Sequence, residues 1–220
     1  MEYSLKEILS NTSSYLFYKR GDEIWEKKYR PSILSKDIKA DCNIIFIPFF
    51  AIVNNVAMQT FCEIEHCIKK GVRAFFFDEE RFAQKNFREM LFKILEKYEK
   101  NIDFVIMTQN SLGAMYSLAQ YTRFKKFSKD LKVICVTGSI GKTSTTEMVY
   151  SIFKQKHKIF RGEPMVNLRL RINHKLLEAP KDCEYLLFEC SGAVKGYLKK
   201  FSELLAPDGI ILTRVSSENL

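Results

Sequence analysis

Residues Val133 to Ser144, reading V-I-C-V-T-G-S-I-G-K-T-S, narrow the possible folds of this chain more than any other stretch. An apolar run ends in a turn punctuated by two glycines, and a segment of helical periodicity follows. That order predicts a buried strand from Leu131 to Val136, a tight loop, and a helix packed back on a parallel sheet. Gly138 and Gly141 lack a Cβ, so the backbone can curl closely around a ligand. The loop's N–H groups and the start of the helix then face an anion. Lys142 would reach the outer phosphates of a nucleotide, and the Thr143 hydroxyl would ligate Mg²⁺. The eight-residue form of this motif needs a further glycine where Val136 stands, so the chain carries a shorter variant. The competing reading is a strand-to-helix turn that holds no ligand. Met148, Val149, Ile152 and Phe153 recur at helical spacing and are expected to share the packed face.

Composition excludes several classes. The chain has 220 residues, enough for one large or two small domains, and 46% of them are hydrophobic. No stretch approaches the ~20 apolar residues of a membrane span. The longest apolar run, Ile44 to Val53, contains Pro48. The N-terminus lacks a basic-then-apolar leader pattern, which reads as cytoplasmic. Six cysteines occur without a Cys-x-x-Cys pair, and the three histidines complete no zinc spacing. They are expected to be reduced core residues. The formal charge is +9, spread over pairs such as Lys19-Arg20, Lys69-Lys70 and Lys125-Lys126. Spread charge reads as solvated surface, suited to anionic small molecules rather than nucleic acid. No membrane or obligate protein partner is implied.

Two domains are expected, at 1–108 and 109–220. In the first, Ile44 to Ile47 reads as a strand. Met58, Phe61, Ile64, Cys67 and Ile68 mark a helix face that Gly71 ends, and Val72 to Phe77 a second strand. One amphipathic helix is expected from about Arg81 to Lys100, with Phe87, Met90, Leu91, Ile94 and Leu95 inward. A short strand at Phe104 to Met107 follows. Asn110 or Ser111 would cap a helix to about Phe127, burying Leu112, Met115, Leu118, Ala119 and Thr122. Beyond the phosphate loop come a strand at Tyr185 to Phe188, a helix around Phe201 and a strand at Ile210 to Leu212. This alternation predicts an open α/β sheet.

Ligands of such sheets bind beyond the carboxyl ends of the strands. Glu189 ends one strand, and Thr143 follows the end of another. If the strands are neighbours, the two could share a magnesium ion. Otherwise Glu189 would cap a helix or pair with Lys195. Arg161, Arg169, Arg171 and Lys175 could contact anions or line a solvated loop. His157, between Lys156 and Lys158, is expected to face solvent. The chain carries no Ser/His/Asp or Cys/His constellation, so positioning and electrostatics around a phosphate are the chemistry implied.

Three segments together resemble the Mur ligases, ATP-dependent amide-bond-forming enzymes of peptidoglycan synthesis. They are Val133 to Glu147, Leu187-Phe188-Glu189-Cys190-Ser191-Gly192, and Leu205-Ala206-Pro207-Asp208-Gly209-Ile210-Ile211-Leu212-Thr213. Their order and spacing are most similar to the MurF branch, with the MurE branch close behind. Ser35 to Asp41 leading into Ile44 to Ile47 resembles the family's UDP-sugar-binding domain. The resemblance implies a small N-terminal α/β domain, then part of a P-loop-type central domain with a mostly parallel sheet. It implies ATP held by Thr137, Gly138, Ser139, Ile140, Gly141, Lys142, Thr143 and Ser144. Lys142 and Glu189 would serve catalysis, and Thr143 and Glu189 would ligate Mg²⁺. Ser35, Lys36 and Asn167 would meet a UDP-sugar-peptide-like substrate.

The implied reaction activates a carboxylate as an acyl phosphate and transfers it to an amino acid or dipeptide. The chain departs from the family at Arg214 and Asn219, which bears on a second magnesium site, and at Leu34-Ser35-Lys36. On this resemblance Leu220 falls within the central domain, so the chain is expected to be a fragment or a truncated stand-alone protein. Two other readings stand beside the ligase: a non-catalytic nucleotide-binding module, and a phosphate-loop NTPase acting with nucleic acid.

Overall fold

The computed structural model describes residues 1–32, 44–46, 64–162, 169–192 and 195–216. These divide into two compact units, Glu2–Leu118 and Ala119–Leu220, with Met1 grouped with the second. The division falls inside the helix Ser111–Tyr121 rather than ahead of it at 108/109.

The first unit is built on a six-stranded sheet in the order β1-β3-β4-β5-β6-β2. Its strands are β1 (Tyr3–Ser4), β2 (Ser14–Lys19), β3 (Lys28–Ser32), β4 (Ile44–Phe46), β5 (Ala74–Asp78) and β6 (Phe104–Thr108). β3 to β6 run parallel, and β1 and β2 close the two edges antiparallel. Sequence reading missed the first three strands. It also missed α1 (Leu5–Asn11), whose start is marked by a reciprocal capping box of Ser4 and Glu7.

Phe75 and Phe77 of β5 and Val105 and Met107 of β6 form one core. It packs on Ile64, Cys67 and Ile68 of α2 (64–69) and on Phe87, Leu91, Ile94 and Leu95 of α4 (Lys85–Lys97). Gly71 follows α2, its N–H bonded to the Ile68 carbonyl at 2.9 Å. Met58, Phe61 and Ile47 lie outside the described residues. The single helix expected from Arg81 is two, α3 (Glu79–Ala83) and α4, because Gln84 between them is extended. Asn110 Oδ1 accepts the Gly113 N–H at 2.9 Å and so caps α5 (Ser111–Tyr121). Met115, Leu118, Ala119 and Thr122 are buried as expected, but Leu112 is exposed. A π-helical turn, Thr122–Lys126, follows α5.

The second unit has a four-stranded, all-parallel sheet in the order β10-β7-β9-β8. Its strands are β7 (Lys132–Thr137), β8 (Ile159–Arg161), β9 (Tyr185–Glu189) and β10 (Gly209–Leu212). α6 (Lys142–Phe153) follows β7, α7 (Arg169–Glu178) follows β8, and α8 (Tyr197–Leu205) follows β9. The expected mixed α/β architecture with a mostly parallel sheet is therefore present. α7 occupies the later part of the segment 161–175, which reads from sequence as either an anion-contacting stretch or a solvated loop. Phe201, Leu204 and Leu205 of α8 are buried.

The packed face of α6 differs from expectation. Met148 and Ile152 are 67% and 65% exposed, while Thr146 is buried and Phe153 meets the Tyr185 ring at 4.8 Å. Among the described cysteines, Cys67, Cys135, Cys183 and Cys190 are buried and outside any disulfide. Cys42 and Cys62 lie outside the described residues.

Candidate functional site

β7 and β9 are neighbours, with Val136 opposite Glu189, so both strands deliver their ends to one place. The ladder continues past the strand, because the Cys190 N–H donates to the Val136 carbonyl at 2.9 Å. Beyond β7 the chain turns at Gly138, whose φ is +138°. A Cβ there would lie 2.1 Å from Thr213 Oγ1, so only glycine fits both the angle and the space. Gly141, at φ +87°, sets the entry to α6 and needs its freedom for the angle alone.

The segment after β10 braces this loop. The Thr213 N–H and hydroxyl both donate to the Thr137 carbonyl, at 2.8 and 3.1 Å. The Ser139 N–H donates to the Arg214 carbonyl at 2.7 Å, and the Ser216 N–H donates to Ser139 Oγ at 3.1 Å. Sequence reading placed Thr213 at the end of a family-like run and noted Arg214 only as a departure. Nothing in their residue types announces a backbone brace.

Lys142 folds across the loop, its Nζ donating to the Gly138 carbonyl at 2.8 Å and towards the Ser139 carbonyl at 3.4 Å. Thr143 Oγ1 donates to Glu189 Oε2 at 2.9 Å. Glu189 is only 8% exposed, and this contact replaces the alternative pairing with Lys195. Among the described residues no side chain caps α6, so its leading N–H groups suit an anion. Ile140 and Ser144 are exposed at the surface of the loop.

The donor set suits a hard divalent cation. A carboxylate and a hydroxyl are oxygen ligands of the kind Mg²⁺ takes. Among the described residues no group of three or more His, Cys, Asp or Glu could hold a metal. An ion here would therefore fill its shell with phosphate oxygens and water.

Ser35, Lys36, Asn167 and Asn219 lie outside the described residues, as do the side chains of Arg169 and Arg171. Arg161 pairs with Glu147 and stacks 4.6 Å from the Tyr150 ring centroid, so it anchors β8 to α6. Lys175 pairs with Glu178 at 2.6 Å. His157 is exposed, as expected, but meets Glu184 at 2.8 Å.

Residues 136–220 match the family described as Mur ligase middle domain. The chain is 27% identical over 216 residues to the UDP-N-acetylmuramoyl-tripeptide--D-alanyl-D-alanine ligase of Borreliella burgdorferi, an alignment covering 98% of this chain and 44% of that one. The chain is Mur ligase-like: it is similar to a Mur ligase domain and to ligases of the MurF kind. The Bacillus subtilis enzyme of the same name is 23% identical over 177 residues, covering 77% of this chain and 37% of its own length. This Mur ligase-like fold also aligns with MurF of Acinetobacter baumannii at a TM-score of 0.72 and 18% identity, over 96% of this chain and 41% of that one. MurF of Thermotoga maritima, solved in complex with ADP, aligns at a TM-score of 0.62 and 21% identity, over 86% and 38%. At these identities the structural likeness is one of fold. The Mur ligase-like chain spans less than half the length of these relatives.

Proposed function

We propose that this chain grips the nucleotide in an ATP-dependent, amide-bond-forming ligase of the Mur type. One observation carries the reading: Thr143 and Glu189 meet at 2.9 Å beside the uncapped start of α6. A triphosphate lying over the loop would draw Lys142 from the Gly138 and Ser139 carbonyls onto its outer oxygens. Thr143 and Glu189 would hold Mg²⁺, which when bound neutralises charge on the phosphates. The structurally similar MurF of Thermotoga maritima was solved in complex with ADP, which supports a nucleotide-binding reading of this chain.

The proposed substrate, after the names of the relatives, is a UDP-muramoyl-peptide-like carboxylate. Its carboxylate oxygen attacks the γ-phosphorus, and the bond to the β-phosphate bridging oxygen breaks, giving an acyl phosphate and ADP. The amine nitrogen of an amino acid or dipeptide then attacks the acyl carbon. Inorganic phosphate leaves, the amine loses a proton, and the amide forms. The chain's own contribution is orientation and charge, which suits a site without a covalent nucleophile. Use of ATP and UDP-linked substrates assigns the reaction to the cytoplasm. Among the described residues no helix is long and apolar enough to cross a membrane.

The test is nucleotide affinity by calorimetry, comparing the unaltered chain with Lys142→Ala. Removing the cation should weaken Mg²⁺-ATP binding at least about tenfold, the scale of a charge-assisted phosphate contact. Equal affinities would remove Lys142 from the site.

A further inference from the structure

On the first unit, Phe17 and Tyr18 of β2 and Phe92 and Leu95 of α4 line an open cleft of about 470 Å³, with Glu96 and Glu99 beside them. The sequence builds this wall by spacing. Phe92, Leu95 and Glu96 share one face of α4, and Glu99 opens the 3₁₀ turn that follows. Phe17 lies 6.3 Å from Phe92 and 4.8 Å from Phe82, ring centroid to ring centroid. Phe92 is nonetheless 50% exposed, a large ring left facing water.

Charge singles the cleft out. The chain carries +9 overall, yet two carboxylates stand here against aromatic rings. Among the described residues neither Glu96 nor Glu99 has an ion-pair partner. The Arg20 guanidinium lies near the Tyr18 phenol, but its charge is met by Asp103 at 2.9 Å. The same unit shows what such a pairing attracts. Lys97 Nζ sits 2.7 Å from the Glu65 carboxylate and 5.0 Å from the Tyr98 ring centroid, held by anion and ring together.

We propose that this cleft binds a small substituted ammonium ion, its charge between Glu96 and Glu99 and its alkyl groups against Phe17, Tyr18 and Phe92. The volume fits a small organic ligand. The aromatic wall selects an organic cation over a metal ion, because ring faces attract diffuse positive charge and give a metal no oxygen donors.

The probe is choline, set against its neutral isostere 3,3-dimethylbutan-1-ol. Both are titrated into the full chain and followed by amide shifts in two-dimensional NMR. Choline should shift the amides of 92–99 saturably and bind about tenfold tighter than the alcohol. The combined Glu96→Gln and Glu99→Gln variant should erase that preference. Phe92→Ala should weaken choline about threefold or more. All three positions face water, and matched thermal unfolding midpoints will show that the variants fold. Equal affinity for cation and alcohol, shifts confined to other amides, or a preference that survives both glutamine substitutions would overturn the proposal.

Discussion

Thr143 and Glu189 are 46 positions apart in sequence and 2.9 Å apart in space. That one contact sets the rotational phase of α6. At about 100° per residue, Met148 and Ile152 lie about 140° and 180° around the helix from Thr143. They must therefore point away from the sheet, while Thr146, Tyr150 and Phe153 come round to it. The apolar pairs suggested another stripe, but the loop had already fixed which side of the helix faces β9.

The first prediction concerns the charge in this contact. Glu189→Gln keeps the shape and an oxygen that accepts from Thr143, but removes the anion. The difference in ATP affinity with and without Mg²⁺ should shrink about tenfold. Thermal unfolding should hardly change. A variant that keeps the full Mg²⁺ dependence would exclude Glu189 as a ligand.

Gly138 supplies the second. In Gly138→Ala the new methyl meets Thr213 Oγ1 at 2.1 Å and the backbone stays at φ +138°. Strain at such an angle costs about 1–3 kcal/mol, and the clash adds to it. Urea unfolding should show a loss of about 3 kcal/mol or more. Adding Thr213→Ala should relieve the clash with Oγ1 and leave the angular strain. Purely additive effects of the two substitutions would mean that they do not meet.

Much of the second unit was legible because its elements are local. The β7-loop-α6 unit is spelled out by glycine placement and apolar runs, and Glu189 is marked by its place at a strand end. The brace from Thr213, Arg214 and Ser216 was not legible, since it runs through backbone atoms that any residue offers. The Gln84 break was hidden because apolar residues continue in helical register across it. β2 and β3 were missed for a different reason. They are mixed in polarity, and only pairing with β6 and β4 shows them to be strands.

Asp103 illustrates a long-range network of that kind, and it yields the third prediction. The side chain is fully buried and meets Arg20 at 2.9 Å, Arg73 at 3.2 Å and Lys27 at 3.3 Å. The Tyr29 hydroxyl also donates to it, at 3.5 Å. Asp103→Ala leaves these cations crowded without an anion. Breaking a buried pair in this way costs about 3–5 kcal/mol, discounted here because all three cations are partly hydrated. A loss of about 2–4 kcal/mol in denaturant unfolding is expected. A loss below about 0.5 kcal/mol would show the cluster to be energetically idle.

Asp208 gives the last prediction, a pH dependence. Its Oδ2 accepts the Val133 N–H at 2.9 Å and its Oδ1 accepts from Lys132 at 3.1 Å, clamping the start of β7 to β10. The Val133 N–H, and after it Lys132, hold the Asp208 carboxyl below its ordinary pKa of 3.8. A folded-state pKa that is depressed means that the unfolded chain takes up the proton first as acid is added. The stabilisation is therefore complete well above pH 3.8 and drains away as the pH falls below it. The side chain is 37% exposed, so solvent screening keeps its worth under about 1 kcal/mol. Asp208→Asn should unfold more easily than the unaltered chain at pH 7, and the two curves should converge below pH 3.8. Unfolding midpoints measured from pH 7 down to pH 2 decide it, and a gap that stays constant across that range would refute the clamp.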